Sequence, residues 1–181
     1  MPLTKSIVLI GLASSGKTTV GRLVAKNVEA PFIDLDDRIE EVYESIHNER
    51  MSCRDIFREH GEASFRMLET RALESLVDSD PVVLATGGGT PLISYNQGHL
   101  KQLGTVVYLS VTAATALQRM TKPGSKGIPA WLESNPTVEG LDRILRIREA
   151  EYFATAAVVI ETDNKSEEEV AVLVTAEASF E

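Results

Sequence analysis

Short apolar runs alternate along the chain with longer stretches in which apolar residues recur every three or four positions. The runs Ile7-Val-Leu-Ile10, Pro31-Phe-Ile33, Val82-Val-Leu-Ala85, Val106-Val-Tyr-Leu109 and Ala157-Val-Val-Ile160 lack the in-out alternation of a half-exposed strand. Each therefore predicts a parallel strand covered on both faces. Helical patterns fill the intervals, at about residues 17–28, 37–45, 53–77, 95–103, 113–120, 138–150 and 166–177. Strand followed by helix throughout predicts an α/β fold, a three-layer, doubly wound sheet of about five parallel strands flanked by helices. The interval 37–77 carries more helix than one crossover needs, which suggests a substrate-binding helical insertion. Residues 121–136 are rich in Pro and Gly between two helical patterns, a composition that suits a mobile lid. No repeat, low-complexity tract or interdomain linker interrupts the chain, so residues 1–181 read as a single domain.

Composition narrows the partners. A chain of 181 residues is long enough for one well-buried core. Its formal net charge of −9 argues against a nucleic-acid partner, because binding a polyanion takes a basic face that displaces counterions. The single cysteine, Cys53, excludes an intrachain disulfide framework. No run of about 18 apolar residues and no secretory leader is present, so the expectation is a soluble, cytoplasmic protein without a membrane partner, and a monomer. His47, His60 and His99 are scattered without ligand spacing and read as surface or helix-end residues.

The most specific chemical signal is Gly11-Leu-Ala-Ser-Ser-Gly-Lys17-Thr18, which follows the first apolar run and opens a helical pattern. This is a GxxxxGKT phosphate-binding loop in its required strand-to-helix context. The glycines let successive N–H groups turn inward toward phosphate oxygens, and the helix start adds its positive dipole end. Lys17 is placed to reach the β- and γ-phosphates, and the Thr18 hydroxyl to ligate Mg²⁺. Because the same loop serves ATPases, GTPases and small-molecule kinases, the acceptor has to be read elsewhere.

Asp34-Leu-Asp36-Asp37 follows the second strand, at the carboxyl end where ligands bind in such sheets. Carboxylates there can complete a Mg²⁺ shell and accept a hydroxyl proton; alternatively they cap the next helix, the role expected of Asp37. Arg66 and Glu69 share one helix face and can pair, either to fix a functional guanidinium or as a surface ion pair. Gly87-Gly88-Gly89 follows the third strand, exposing backbone N–H groups with no Cβ in the way of a ligand. Arg143, Arg146 and Arg148 cluster on a later helix, for which a solvated basic face is the ordinary reading.

Taken together, these segments resemble the shikimate kinase family over nearly the whole chain, from Ile7 to about Val170. The likeness rests on order and spacing. The phosphate loop is followed by Asp34-Leu-Asp36 with Ile39-Glu40, then Asp55-Ile-Phe57, Gly61-Glu62, Phe65-Arg66 and Glu69, then Gly87-Gly-Gly89, and finally Arg148 before Tyr152. The resemblance implies an ATP- and Mg²⁺-dependent kinase that phosphorylates the 3-hydroxyl of shikimate. It implies that Gly11, Ser14, Ser15, Gly16, Lys17, Thr18 and Thr19 cradle the nucleotide, with Arg119 and Lys165 also on the nucleotide side. Thr18 and Asp34 would serve the metal, Asp34 through water. Arg66 and Arg148 would grip the shikimate carboxylate, as a planar fork suits that anion. Asp36 would bind ring hydroxyls near the attacking oxygen, Gly87, Gly88 and Gly89 would line the acceptor pocket, Glu69 would hold Arg66, and Phe57 would wall the ring. Lys17, Asp36 and Arg148 are thus the expected catalytic residues.

The chain departs from the family pattern in two places. Ile128-Pro129 stands where the family carries Arg-Pro in its lid, and the proline usual before Tyr152 is absent. Lys126 and Arg119 are the candidates to supply the missing lid cation. A kinase for another polyhydroxy acid such as gluconate, or a weakly active nucleotide- or metabolite-sensing module, remains open on the sequence alone.

Overall fold

The computed structural model describes residues 3–125, 127–129, 132 and 136–178. Five strands, β1 (Ser6–Ile10), β2 (Phe32–Asp34), β3 (Val83–Ala85), β4 (Gly104–Ser110) and β5 (Val158–Glu161), form one sheet in the order β2-β3-β1-β4-β5. Every neighbouring pair is parallel. The helices are α1 (Lys17–Asn27), α2 (Leu35–His47), α3 (Cys53–Glu74), α4 (Ser94–Leu103), α5 (Ala113–Thr121), α6 (Val138–Thr155) and α7 (Glu167–Ala178). A short 3₁₀ turn, Thr90–Leu92, follows the triple glycine.

The two faces of β1 explain its unbroken apolar run. Val8 and Ile10 enter one buried cluster with Leu84, Tyr108 and side chains of α2 to α6, while Ile7 and Leu9 enter the other with Val20, Val24, Val170 and Val174 of α1 and α7. A strand with helices on both sides has no polar position to offer. Ile39, Tyr43, Ile56 and Leu68 of α2 and α3 lie in the same cluster as Val8, so the helical stretch 37–77 packs into the main core.

The expectation of full burial fails at the sheet edges. In β5 Ile160 is buried but Val159 and Glu161 are exposed, and in β2 Phe32 and Ile33 are only half-buried. An edge strand has one neighbour, and the short runs at these two edges are covered incompletely. The stretch 53–77 also differs from one regular helix. Gly61, at φ 78° and ψ 172°, breaks α3, a left-handed φ that glycine tolerates.

Topology sets the site. From β1 the chain crosses outward to β2, returns to β3, then passes to β4 on the far side of β1. The carboxyl ends of β1 and β3 are in register, Leu9 beside Ala85, and Thr86 N–H donates to the Leu9 carbonyl at 3.1 Å. Residues 11–18 and 87–89 therefore emerge side by side at the reversal in strand order, where open α/β sheets bind ligands.

Candidate functional site

The loop between β1 and α1 is shaped by three left-handed residues, Gly11 (φ 141°), Ser14 (φ 63°) and Gly16 (φ 100°). A Cβ at Gly11 would sit 2.6 Å from the Leu109 carbonyl oxygen, so only glycine lets the loop lie this close to β4. Gly16 caps α1 with no side-chain hydrogen bond, which leaves the first-turn N–H groups to a ligand. Ser15 Oγ is buried and has no hydrogen-bond partner among the described residues, as suits a site awaiting an acceptor oxygen. Thr19 is exposed on the first turn of α1.

Lys17 is not the free cation that the motif suggests. Its ammonium donates to the carbonyls of Gly11 (2.9 Å) and Leu12 (2.8 Å) and the residue is buried. It therefore also closes the loop on itself, a structural role that the sequence reading did not assign.

Thr18 Oγ1 donates to Asp34 Oδ2 at 2.9 Å, while Asp34 Oδ1 accepts from Asp36 N–H at 3.2 Å. The N-cap of α2 is thus Asp34 and not Asp37, because the strand ends on Asp34 and the helix begins at the next residue. A hydroxyl and a carboxylate side by side form a hard oxygen pair. Among the described residues no cluster of three or more His, Cys, Asp or Glu could hold a metal ion.

Arg119, at the end of α5, lies against this loop. Its Nη1 donates to the Ser14 and Ser15 carbonyls at 3.4 and 3.5 Å, and its guanidinium is anchored on Thr162 Oγ1 (3.2 Å) and the Thr162 carbonyl (3.0 Å). Asp163, next to that anchor, sits below the usual carboxylate range: some burial pushes it up, but hydrogen bonds from Thr115 and Thr112 and the Arg119 charge outweigh it. Lys165 is exposed, lining an open groove with Glu168, Glu169, Val172 and Leu173.

The second half of the site is built from side chains. Glu69 is 1% exposed, accepting from Arg66 Nη1 at 2.9 Å and from Thr90 Oγ1 at 2.7 Å. Glu62 Oε1 lies 3.5 Å from Arg66 Nη2. A Cβ at Gly89 would overlap the Arg66 guanidinium, and one at Gly87 would come within 3.0 Å of Glu69 Oε1 and 3.9 Å of Asp36 Oδ1. A Cβ at Gly88 would lie 3.3 Å from the Gly11 carbonyl oxygen. The triple glycine is thus the seam where the phosphate loop, Asp36 and Arg66 meet. Phe57 packs edge-on to Phe65 with centroids 5.7 Å apart, and Arg66 lies over the Phe65 ring.

Tyr152 joins α6 to this seam, its hydroxyl donating to the Gly88 carbonyl at 2.6 Å. Burial pushes its pKa up to about 12, against the lowering effect of Arg148 and, more weakly, Arg66. Both guanidinium charges thus act on one buried phenol. Arg143 and Arg146 are exposed, and Arg146 pairs with Asp142 at 2.8 Å, so the ordinary surface reading holds for those two. Two of the three histidines are exposed as expected, His60 meeting the Tyr43 hydroxyl at 2.9 Å and His47 stacking on the Tyr43 ring, whereas His99 is half-buried in α4 with its Nε2 3.8 Å from Glu74.

Four contributors escaped the sequence reading: Thr90, which orients Glu69; Tyr152 as a hydroxyl donor; Glu40, whose Oε1 accepts from Cys53 N–H at 3.0 Å at the start of α3; and Arg54, whose Nη2 donates to the Ile128 carbonyl at 2.9 Å. Each acts across a long sequence separation that no local spacing reveals, although Glu40 and Tyr152 stood inside quoted motifs. Lys126, a candidate for the lid cation, lies outside the described residues.

The geometry thus sets a backbone loop with open first-turn N–H groups beside Asp36 and the Arg66–Glu69 pair, an arrangement that can hold phosphates next to a carboxylate and a cation. Comparison with known proteins agrees. The profile of the family described as shikimate kinase matches residues 13–178. A shikimate kinase of Alkaliphilus oremlandii (strain OhILAs) is 36% identical over 93% of this chain and 95% of its own length. One from Marinomonas sp. (strain MWYL1) is also 36% identical, over 92% of this chain and 87% of its own. Among solved structures, shikimate kinase from Acinetobacter baumannii in complex with shikimate superposes with a TM-score of 0.83 at 33% identity, covering 97% of this chain and 94% of the other. Among the described residues no helix is long and apolar enough to cross a membrane.

Proposed function

The chain belongs to the shikimate kinase family, and on that premise we propose how its site works: the γ-phosphoryl group of ATP passes to the 3-hydroxyl of shikimate, giving shikimate 3-phosphate for aromatic amino acid biosynthesis. The observation that carries this reading is the fixed guanidinium of Arg66. Buried Glu69 and the bare backbone of Gly89 hold it beside the phosphate loop, with Asp36 across the Gly87 seam.

On the nucleotide side, the N–H groups that open α1 and the Ser15 hydroxyl take the phosphate oxygens. Lys17 exchanges its contacts with the Gly11 and Leu12 carbonyls for the β- and γ-phosphates. Thr18 and Asp34 would hold Mg²⁺, which neutralises phosphate charge when bound. Arg119, already on the Ser14 and Ser15 carbonyls, supplies the cation at the outer rim of the loop in place of an arginine at position 128. On the acceptor side, Arg66 and Arg148 clamp the shikimate carboxylate and Phe57 walls the ring. Asp36 receives the proton of the attacking hydroxyl or orients it, since phosphoryl transfer is largely a matter of positioning and charge.

The test is ADP release by the purified chain with shikimate, gluconate and other polyhydroxy acids, with the product identified by phosphorus NMR. ADP formation with shikimate and a phosphate on its 3-oxygen is expected. Turnover of gluconate without turnover of shikimate would overturn the reading.

A further inference from the structure

The start of α3 is held on several sides. Ser52 Oγ accepts from Asp55 N–H at 3.2 Å, Glu40 Oε1 accepts from Cys53 N–H at 3.0 Å, and the Cys53 thiol donates to the Asp36 carbonyl at 3.3 Å. Arg54 is therefore mounted on the same rigid corner as the acceptor-side carboxylate Asp36. From there its Nη2 reaches the Ile128 carbonyl at 2.9 Å. This hydrogen bond joins α3 to the segment that follows α5.

That segment is in turn tied to the nucleotide side. Gly127 N–H donates to Ser125 Oγ at 3.2 Å, Ser125 Oγ donates to the Met120 carbonyl at 2.6 Å, and Arg119, one residue earlier, rests on the phosphate loop. Gly127 is left-handed at φ 77°, and a Cβ there would face Arg54 Nη2 at 4.0 Å. A connected path thus runs from Asp36 through Cys53, Arg54, Ile128 and Ser125 to Arg119 and the phosphate loop.

We propose that Arg54 is a positioning residue for phosphoryl transfer: by latching the Ile128 carbonyl to the acceptor-side corner, it couples nucleotide binding to shikimate binding. This rests on the shikimate kinase reading above. The physical basis is that a ligand shifts a conformational equilibrium only through contacts that differ between its states. A nucleotide that bears on Arg119 at one end of this path biases where the Ile128 carbonyl stands, and shikimate that bears on the Asp36 corner biases where Arg54 stands. Each ligand then favours the Arg54–Ile128 arrangement that the other also favours. Arginine suits the role because its rigid fork loses less freedom per hydrogen bond than the lysine stem.

The experiment is calorimetric titration of shikimate into the full chain, alone and with saturating Mg²⁺ and a non-hydrolysable ATP analogue. In the parent the analogue should tighten shikimate by about fivefold or more. In Arg54→Ala that enhancement should vanish while the Kd for shikimate alone stays within about twofold of the parent, and Arg54→Lys should restore part of it. A role confined to local stability would instead shift both Kd values together. Shikimate binding that is tightened equally in the parent and Arg54→Ala, or in neither, would overturn the latch alone. Absence of any shikimate binding by the parent would overturn the substrate reading and the latch with it.

Discussion

The two halves of the site are made in different ways. The half proposed to hold phosphate is one contiguous segment, residues 11–18, whose shape comes from left-handed Gly11, Ser14 and Gly16. The acceptor half draws on α2, α3, the triple glycine and α6, and is organised around the buried carboxylate of Glu69, which receives Arg66 and Thr90 together. Phosphate is common to many substrates and can be held by a local, reusable loop. An individual acid demands a pocket whose groups converge from several directions, so its specificity resides in tertiary structure.

Substitutions that strike one half should leave the signature of the other intact. The largest effect is expected from Lys17→Ala, which removes the cation from the phosphate half and should lower kcat by about 10³-fold. Thermal unfolding should be followed alongside, because the ammonium also closes the loop on Gly11 and Leu12. Near-parental turnover in a folded variant would take the loop out of the chemistry. Asp36→Asn, on the acceptor half, should lower kcat by about 10²-fold or more with the KM for ATP unchanged, as measured by initial rates over both substrates.

Arg66→Lys keeps a positive charge beside Glu69 but loses the fork, and should raise the KM for shikimate by about tenfold while that for ATP holds. Arg66→Ala leaves Glu69 buried without its cation, for which a loss of about 3 kcal/mol in stability is expected by denaturant unfolding. The smallest effect concerns pH. Burial lifts both Tyr108 and Tyr152 to about 12 from the usual 10.0, so between those values the folded state keeps protons that the unfolded chain releases. Their contribution is complete below pH 10 and is lost as pH rises toward about 12. Stability measured across that window should fall, and the fall should be shallower in Tyr152→Phe.

The same contrast governs what the sequence discloses. Apolar runs and helical spacing place the five strands and seven helices near their observed bounds, because burial on two faces leaves an unbroken apolar run and burial of one helix face leaves a repeat of three or four residues. The loop at 11–18 was legible because its chemistry is local. Edge exposure of Val159 depends on strand order, which the run 157–160 does not carry. The double role of Asp34, as helix cap and as partner of Thr18, required knowing that β2 ends where α2 begins. The spacing of Arg66 and Glu69 allowed a surface ion pair equally well, and only the burial of Glu69 against Thr90 distinguishes a positioned guanidinium from that alternative.

We propose that the Arg66 and Arg148 guanidiniums select an acid, and the most direct test is the ratio of kcat/KM for shikimate to that for the same ring lacking the carboxylate, measured by ADP release at saturating ATP. Sites built to pair a charged group reject an analogue without it by about 10⁴-fold, and a ratio of that order is predicted, collapsing when Arg66 is replaced. A ratio near unity would contradict the claim.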